Sequence, residues 1–391
     1  MISSRLPAER APNATARAVE SLRRRGIEPI DLTQSNPTRA GFVYPDDLLP
    51  LLAERGALEY DPHPLGLRTA REAVSREFGR RGLPISPDRI GLTASTSEAY
   101  SFLFKLLCDA GDAVLVPQPS YPLFEHLTRL ESIVAVPYNL EYQGSWRIDM
   151  DSVRSGIREP TKALLVVSPN NPTGSFLHSD DLLQLAELCA ERDIALIGDE
   201  VFADYPLDAA PHACSVLSQG DAVTCSLGGL SKSAGLPQLK LGWIAFNGPS
   251  TKLTGVLSAY EIVADAYLSV STPIQMAASG LFEKGTEIRA QIQKRIASNL
   301  QALREQAARF PAATVLRCEG GWSAVLQLPT LRSEEALVLE LLHDDHVLVH
   351  PGYFFEFDRE SFVVVSLIVE PSIFMRGTAR LLARATSPAQ V

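Results

Sequence analysis

No stretch of this sequence holds the roughly 20 consecutive apolar residues that a membrane-spanning helix needs. The longest apolar runs, such as Phe362 to Val369 with Ser366 inside it, break off far short of that. Positive charge is scarce too. The 36 Lys and Arg are outnumbered by 46 Asp and Glu, a net charge of -10, which argues against the clustered cationic face that binds nucleic-acid phosphates. The five cysteines, Cys108, Cys189, Cys214, Cys225 and Cys318, show no CxxC spacing and read as reduced core residues of a cytoplasmic protein. The seven histidines include Asp345-His346 and His350 but no HExxH or paired Cys/His spacing, so no metal site is expected. The N-terminus mixes arginines with Glu20 and lacks an apolar stretch followed by small residues, so no signal peptide is expected. What is left is a globular composition, 46% hydrophobic and 21% charged, that disfavours nucleic acid and membrane and says nothing specific about a small-molecule substrate.

A chain of 391 residues can bury a large core and divide into a large and a small domain. From about residue 90 to 245, short β-branched strings alternate with helical patterns, which predicts parallel strands joined by crossover helices. The strand candidates are Ala113 to Val116, Ile133 to Val136, Ala163 to Val167, Ile194 to Ile197, Ala222 to Ser226 and Leu241 to Phe246. Between the third and fourth, Ser179 is the expected helix cap, with Asp180 and Asp181 in the first turn. Asn13 to Arg25 reads as an amphipathic helix stopped by Gly26. After Pro273 come long charged helical patterns, alternating strings from Thr314 to Leu328, a helix near Glu334 to His343 and the apolar strand at Phe362. The expected fold class is therefore α/β, a mostly parallel central sheet flanked by helices, with a smaller α+β domain. The expected boundaries are 1–45 for an N-terminal arm joined to the small domain, 46–273 for the large domain and 274–391 for the rest of the small one.

In an open parallel sheet, ligands lie beyond the carboxyl ends of the strands. Four such ends carry polar residues here. Thr93-Ala94-Ser95-Thr96-Ser97-Glu98 runs into a helix whose first N–H groups can bind a phosphate, although Ser95 and Glu98 also match a plain capping box. Asn171, in Asn170-Asn171-Pro172-Thr173-Gly174, offers an amide to a phenolate oxygen, or simply makes a turn. Asp199 follows the apolar Ile194-Ala195-Leu196-Ile197-Gly198, and a carboxylate buried there calls for a cation or a protonated ring nitrogen. Lys232, in Gly229-Leu230-Ser231-Lys232 with Lys240 eight positions on, suits an imine to a phosphorylated aldehyde, though a lone lysine is usually a solvated charge. The four together match the needs of pyridoxal phosphate.

With these residues in place, the chain resembles, over nearly its whole length, a fold-type I pyridoxal-phosphate enzyme of the aspartate-aminotransferase-like class I/II family. The resemblance implies that Lys232 forms the Schiff base and later carries a proton, that Asp199 pairs with the pyridine nitrogen and that Asn171 meets the ring phenolate. It implies that Tyr121, in Pro119-Ser120-Tyr121-Pro122, stacks on the ring and that Ser95, Thr96, Ser97, Ser231 and Lys240 surround the phosphate. Tyr60, ahead of Gly66-Leu67-Arg68, matches a tyrosine that reaches the phosphate of a neighbouring subunit, which implies a homodimer with shared sites.

Departures from the family pattern matter as much. Lys240 replaces an arginine and loses its bidentate geometry. Gly229 stands where many members have a serine. Phe202 replaces a tyrosine that donates to the phenolate, so the imine is expected to be more basic than in tyrosine-bearing relatives, and a spectral titration of wild type against Phe202→Tyr should show the difference. In Val363-Val364-Val365-Ser366, the arginine that forks onto a substrate carboxylate is replaced by Val364. Arg39, with Asn36 in the loop after Ser35, is the candidate substitute for substrate binding. Gly320-Gly321-Trp322 and His350 to Phe354 are expected at the entrance, where their aromatic weight suits a bulky apolar side chain.

The leading expectation is an aminotransferase passing an amino group from an amino donor to a 2-oxo acid. A lyase performing β-elimination, or a ring-forming enzyme, is the alternative on the same scaffold. A ligand-sensing domain would need a basic helix-turn-helix extension before about residue 30, and the sequence has none.

Overall fold

The computed structural model describes residues 2–7 and 10–387. Its central feature is an eight-stranded sheet in the order 90–93, 242–247, 224–229, 195–199, 161–167, 113–118, 134–142 and 146–148. The five neighbouring strands from Val134–Tyr142 to Thr224–Gly229 in that order run parallel. The three inner strands 113–118, 161–167 and 195–199 are nearly unbroken apolar runs because both of their faces are covered: Val114, Leu115, Leu164, Leu165, Leu196 and Ile197 are all fully buried. Burial of each such side chain stabilises the fold by about 1.5–3 kcal/mol.

Strand Gly242–Asn247 departs from the expected parallel pattern. It lies antiparallel to both Thr224–Gly229 and Ile90–Thr93. The reason is in the connection, where only the short helix Leu230–Ser233 and one 3-10 turn intervene, too little helix for a crossover that brings the chain back to the starting end. The short strand Trp146–Ile148 is antiparallel as well. The helix at 179 also differs in detail. His178 occupies the cap position without a side-chain bond, and Asp181 pairs instead with Arg147 at 2.8 Å.

The smaller unit is a four-stranded antiparallel sheet in the order 314–315, 323–327, 362–366 and 350–351. The N-terminal segment is tied to it: Ile30–Asp31 pairs in parallel with Val347–Leu348, and the Ser366 N–H donates to the Leu32 carbonyl at 2.7 Å. Helix Ala14–Arg24, capped by Asn13, packs on helix Glu334–His343. The 36-residue helix Thr272–Ala307 spans the two units. Gly285, on that helix, allows it to touch the Lys232 loop, since an added Cβ would lie 2.4 Å from Ala234 Cβ.

Candidate active site

The carboxyl ends of the parallel strands and the inner face of the smaller sheet enclose a cavity of about 460 Å³. Thr96, Tyr121, Asn171, Asp199 and Lys232 all line it, although they are spread from residue 96 to residue 232 of the sequence. Lys232 sits on the short helix after strand Thr224–Gly229, and three bonds fix that loop. Tyr205 Oη donates to the Lys232 carbonyl at 2.5 Å, Arg289 Nε to the Ser233 carbonyl at 2.7 Å, and Tyr44 Oη to the Gly235 carbonyl at 2.7 Å. The Lys232 ammonium lies 4.8 Å from the Trp322 ring centre and 5.4 Å from that of Phe202. Burial pulls its pKa down to about 8, with Asp199 opposing the shift.

Asp199 ends strand Ala195–Asp199 on the cavity floor. Burial pushes its carboxyl up to about 6, against hydrogen bonds from Tyr100 and Val201 and the charge of Lys232. Tyr100 Oη donates to Asp199 Oδ2 at 2.9 Å, and the Val201 N–H to Oδ1 at 3.2 Å. No cation bonds this carboxylate among the described residues, so a protonated ring nitrogen fits the place. Asn171 Oδ1 accepts from Ser323 Oγ at 3.2 Å, which leaves the amide NH₂ as its remaining donor. Ser120 Oγ and Trp322 Nε1 are buried without a protein partner among the described residues. Helix Thr96–Leu107 opens toward the cavity: Ser95 Oγ accepts from the Glu98 N–H at 3.2 Å, while Thr96 and Ser97 have no carbonyl below them in the helix. Glu98 reaches back one residue further than a capping box requires, accepting from the Ala94 N–H at 2.6 Å. Donors for a phosphate, a phenolate and a ring nitrogen's counter-ion thus surround one amine, and pyridoxal phosphate fits.

Other predicted residues lie apart from this cavity. Tyr60 is 74% exposed and belongs to a separate cleft beside His63, Phe102 and Leu268. Lys240 is exposed, with left-handed backbone (φ 51°) closing the turn Pro237–Leu239. Ser95, Ser97 and Ser231 flank the cavity residues without lining it. Asn36 caps a short turn by accepting from the Thr38 N–H at 3.0 Å, and Arg39 is exposed. Val364 does line the cavity, as do His350, Phe354 and Trp322. Sequence reasoning missed Tyr100, Ser120 and Ser323. Tyr100 alone left a trace: it stands four positions after Thr96, on the same helix face.

A mostly parallel sheet carrying a half-buried lysine and aspartate at its carboxyl ends, with a small antiparallel unit over them, is the fold of pyridoxal-phosphate-dependent transferases. The chain belongs to the aminotransferase class I and II family, whose pattern matches residues 32–368. Members of this family use pyridoxal 5′-phosphate. It is 28% identical over 258 residues to the glutamate-pyruvate aminotransferase AlaA of Escherichia coli strain K12, a match that spans 66% of this chain and 64% of that enzyme. A solved alanine aminotransferase from Pyrococcus furiosus superimposes with a TM-score of 0.87 at 26% identity, covering 98% of this chain and 99% of that one. An aminotransferase from Escherichia coli shares the fold with a TM-score of 0.88 at 23% identity, over 100% and 99% of the two chains.

Proposed function

We infer that this chain is an aminotransferase that moves an amino group between an amino donor and a 2-oxo acid, with Lys232 as its catalytic residue. The observation that carries the reading is the pairing of two half-buried groups in one cavity, an amine whose pKa falls to about 8 and a carboxyl whose pKa rises to about 6. When bound, pyridoxal phosphate supplies an aldehyde that takes up the amino group and a ring that draws electrons from the neighbouring carbon. Asp199 keeps a proton on the ring nitrogen. Asn171 donates its amide to the phenolate, and Tyr121, at the cavity mouth, covers the ring face. Thr96 with Ser95 and Ser97 holds the phosphate at the helix N-terminus, with Ser231 and Lys240 supplying further donors at its edge. Lys232 Nζ, neutral in a large fraction near pH 8, would serve as the base for the proton on the donor's reacting carbon. Asn36 and Arg39, on the N-terminal loop, would contact the outer part of the substrate rather than the wall around Val364.

The same reading makes the protein a cytoplasmic homodimer in which Tyr60 serves the partner's site. In support, Leu58 and Tyr60 are exposed at 89% and 74%, and Tyr60 shares its cleft with Ala264 and Leu268 near the exposed Ile262. No helix among the described residues is long and apolar enough to cross a membrane. Residues 1–45 and 274–391 act as one small domain against 46–273. Val364 supports a second reading, a lyase or ring-forming enzyme, because it removes a positive charge from the substrate side of the cavity. Product analysis after a single turnover decides: the aminated cofactor together with a carbonyl product is expected, whereas a 2-oxo acid with ammonia and unchanged cofactor would establish elimination.

A further inference from the structure

The wall that faces Lys232 from the smaller sheet has no permanent positive charge. Among the residues lining the cavity, Lys232 is the one ammonium, Asp199 the one carboxylate, and no guanidinium is present. Val364 stands at the centre of this wall with His350 as its direct cross-strand partner. The His350 ring stacks on Phe354, with centres 4.8 Å apart and planes 8° from parallel. Burial pulls His350 down to about 4, against the charge of Asp31, so the imidazole is neutral at pH 7.

Three hydroxyl groups on this wall have already committed their protons, while Ser35, which also lines the cavity, is exposed. Ser366 Oγ donates to the Gln34 carbonyl at 2.6 Å, Ser323 Oγ to Asn171 Oδ1 at 3.2 Å, and Thr33 Oγ1 to Asp31 Oδ1 at 2.6 Å. What these oxygens still offer a ligand is lone pairs. Trp322 Nε1, buried and unpartnered, is a neutral donor and adds no charge. A carboxylate pressed against Val364 would lose its hydration and meet valine, aromatic rings and hydroxyl lone pairs, with neutral donors such as Trp322 Nε1 but no cation to offset its charge. A hydroxyl, an amide N–H or an apolar body would meet a matching surface.

Space continues beyond the wall. A hollow of about 330 Å³ shares Thr33, His350 and Phe354 with the cavity and runs to helix Ala14–Arg24. Its two charged residues are paired elsewhere, Glu20 with Arg24 at 3.1 Å and Arg23 with Glu28 at 3.3 Å.

Building on the aminotransferase reading, we propose that the preferred amino donor is a primary amine without a carboxylate beside the reacting carbon, carrying an apolar or aromatic body that extends past the His350–Phe354 stack. The 2-oxo acid acceptor meets the same wall, so its carboxylate adds little to its binding.

The test is a titration of two unreactive ligands of matched shape, 3-phenylpropanamide and 3-phenylpropionate, into the pyridoxal-phosphate-loaded protein by calorimetry. Alongside it, phenethylamine and phenylalanine are compared as donors by loss of the cofactor's absorbance. The amide is expected to bind at least as tightly as the acid, and phenethylamine to react at least as well as phenylalanine. In Val364→Arg the acid should gain about tenfold or more, the usual advantage of a charge-assisted pair. If that variant does not fold, the wild-type comparison decides alone. An acid that binds about tenfold or more tightly than the amide to the wild type overturns the proposal, and loss of that preference in Arg39→Ala would name the cation responsible. If the cofactor loads and the amide out-binds the acid, yet neither donor reacts, the aminotransferase reading fails while the neutral wall stands.

Discussion

The proposed function needs Asp199 ionised in a place that disfavours charge, and Tyr100 is the side chain whose hydrogen bond favours that form. The two are 99 positions apart in sequence and 2.9 Å apart in space. Because the folded pKa of about 6 exceeds the 3.8 of an exposed aspartate, the folded chain retains a proton that the unfolded chain releases between those values. Ionising Asp199 therefore costs stability as pH rises through that window, and the penalty is absent below it. Cofactor binding has the opposite dependence, since the ring nitrogen needs the charged carboxylate, so affinity falls as pH drops through about 6. In Tyr100→Phe the charged form loses a hydrogen bond. The acid limb of cofactor affinity, followed by fluorescence, should move up by about one pH unit or more, and an unmoved limb would remove Tyr100 from the account. The Phe202 ring centre lies 5.4 Å from Lys232 Nζ, and Phe202→Tyr should lower the imine's pKa in a spectral titration.

At the scale of elements, helix Thr96–Leu107 both supports the sheet and presents its N-terminus to the cavity. Ser95 caps it, so Ser95→Ala should cost about 1 kcal/mol in denaturant unfolding and weaken cofactor retention, while Ser95→Asp should restore the stability but repel the phosphate. Equal cofactor retention in all three proteins would show that this helix end is not a phosphate site. The parallel strands were legible because strands buried on both faces are apolar throughout, as in Leu164-Leu165-Val166. The direction of Gly242–Asn247 was not, since strand composition carries no sense of direction and only the brevity of the 230–241 connection betrays it. Asp199, Asn171 and Lys232 were legible as polar residues set at the ends of apolar runs. Tyr100 was hidden because its helix is apolar on that face, and only the tertiary fold shows that its hydroxyl meets a carboxylate. Arg39, proposed from its place after Asn36, is exposed, and loop residues carry no periodicity from which their direction can be read.

The whole molecule presents apolar side chains that a single chain does not bury, Leu58 and Ile262 among them, at 89% and 73% exposure. A second copy covering that face would bring Tyr60 to a neighbouring site. Leu58→Glu should therefore shift the protein from dimer to monomer in size-exclusion chromatography with light scattering and lower its cofactor content, whereas a monomeric wild type would contradict the shared site. The proposed function rests on a covalent bond between Lys232 and the aldehyde of pyridoxal phosphate. Purified protein incubated with pyridoxal phosphate, reduced with borohydride and mapped by peptide mass spectrometry should carry the cofactor's mass on Lys232 and lose the adduct in Lys232→Ala. A reduced protein with no adduct at that residue, or with the label spread over surface lysines, would contradict the account.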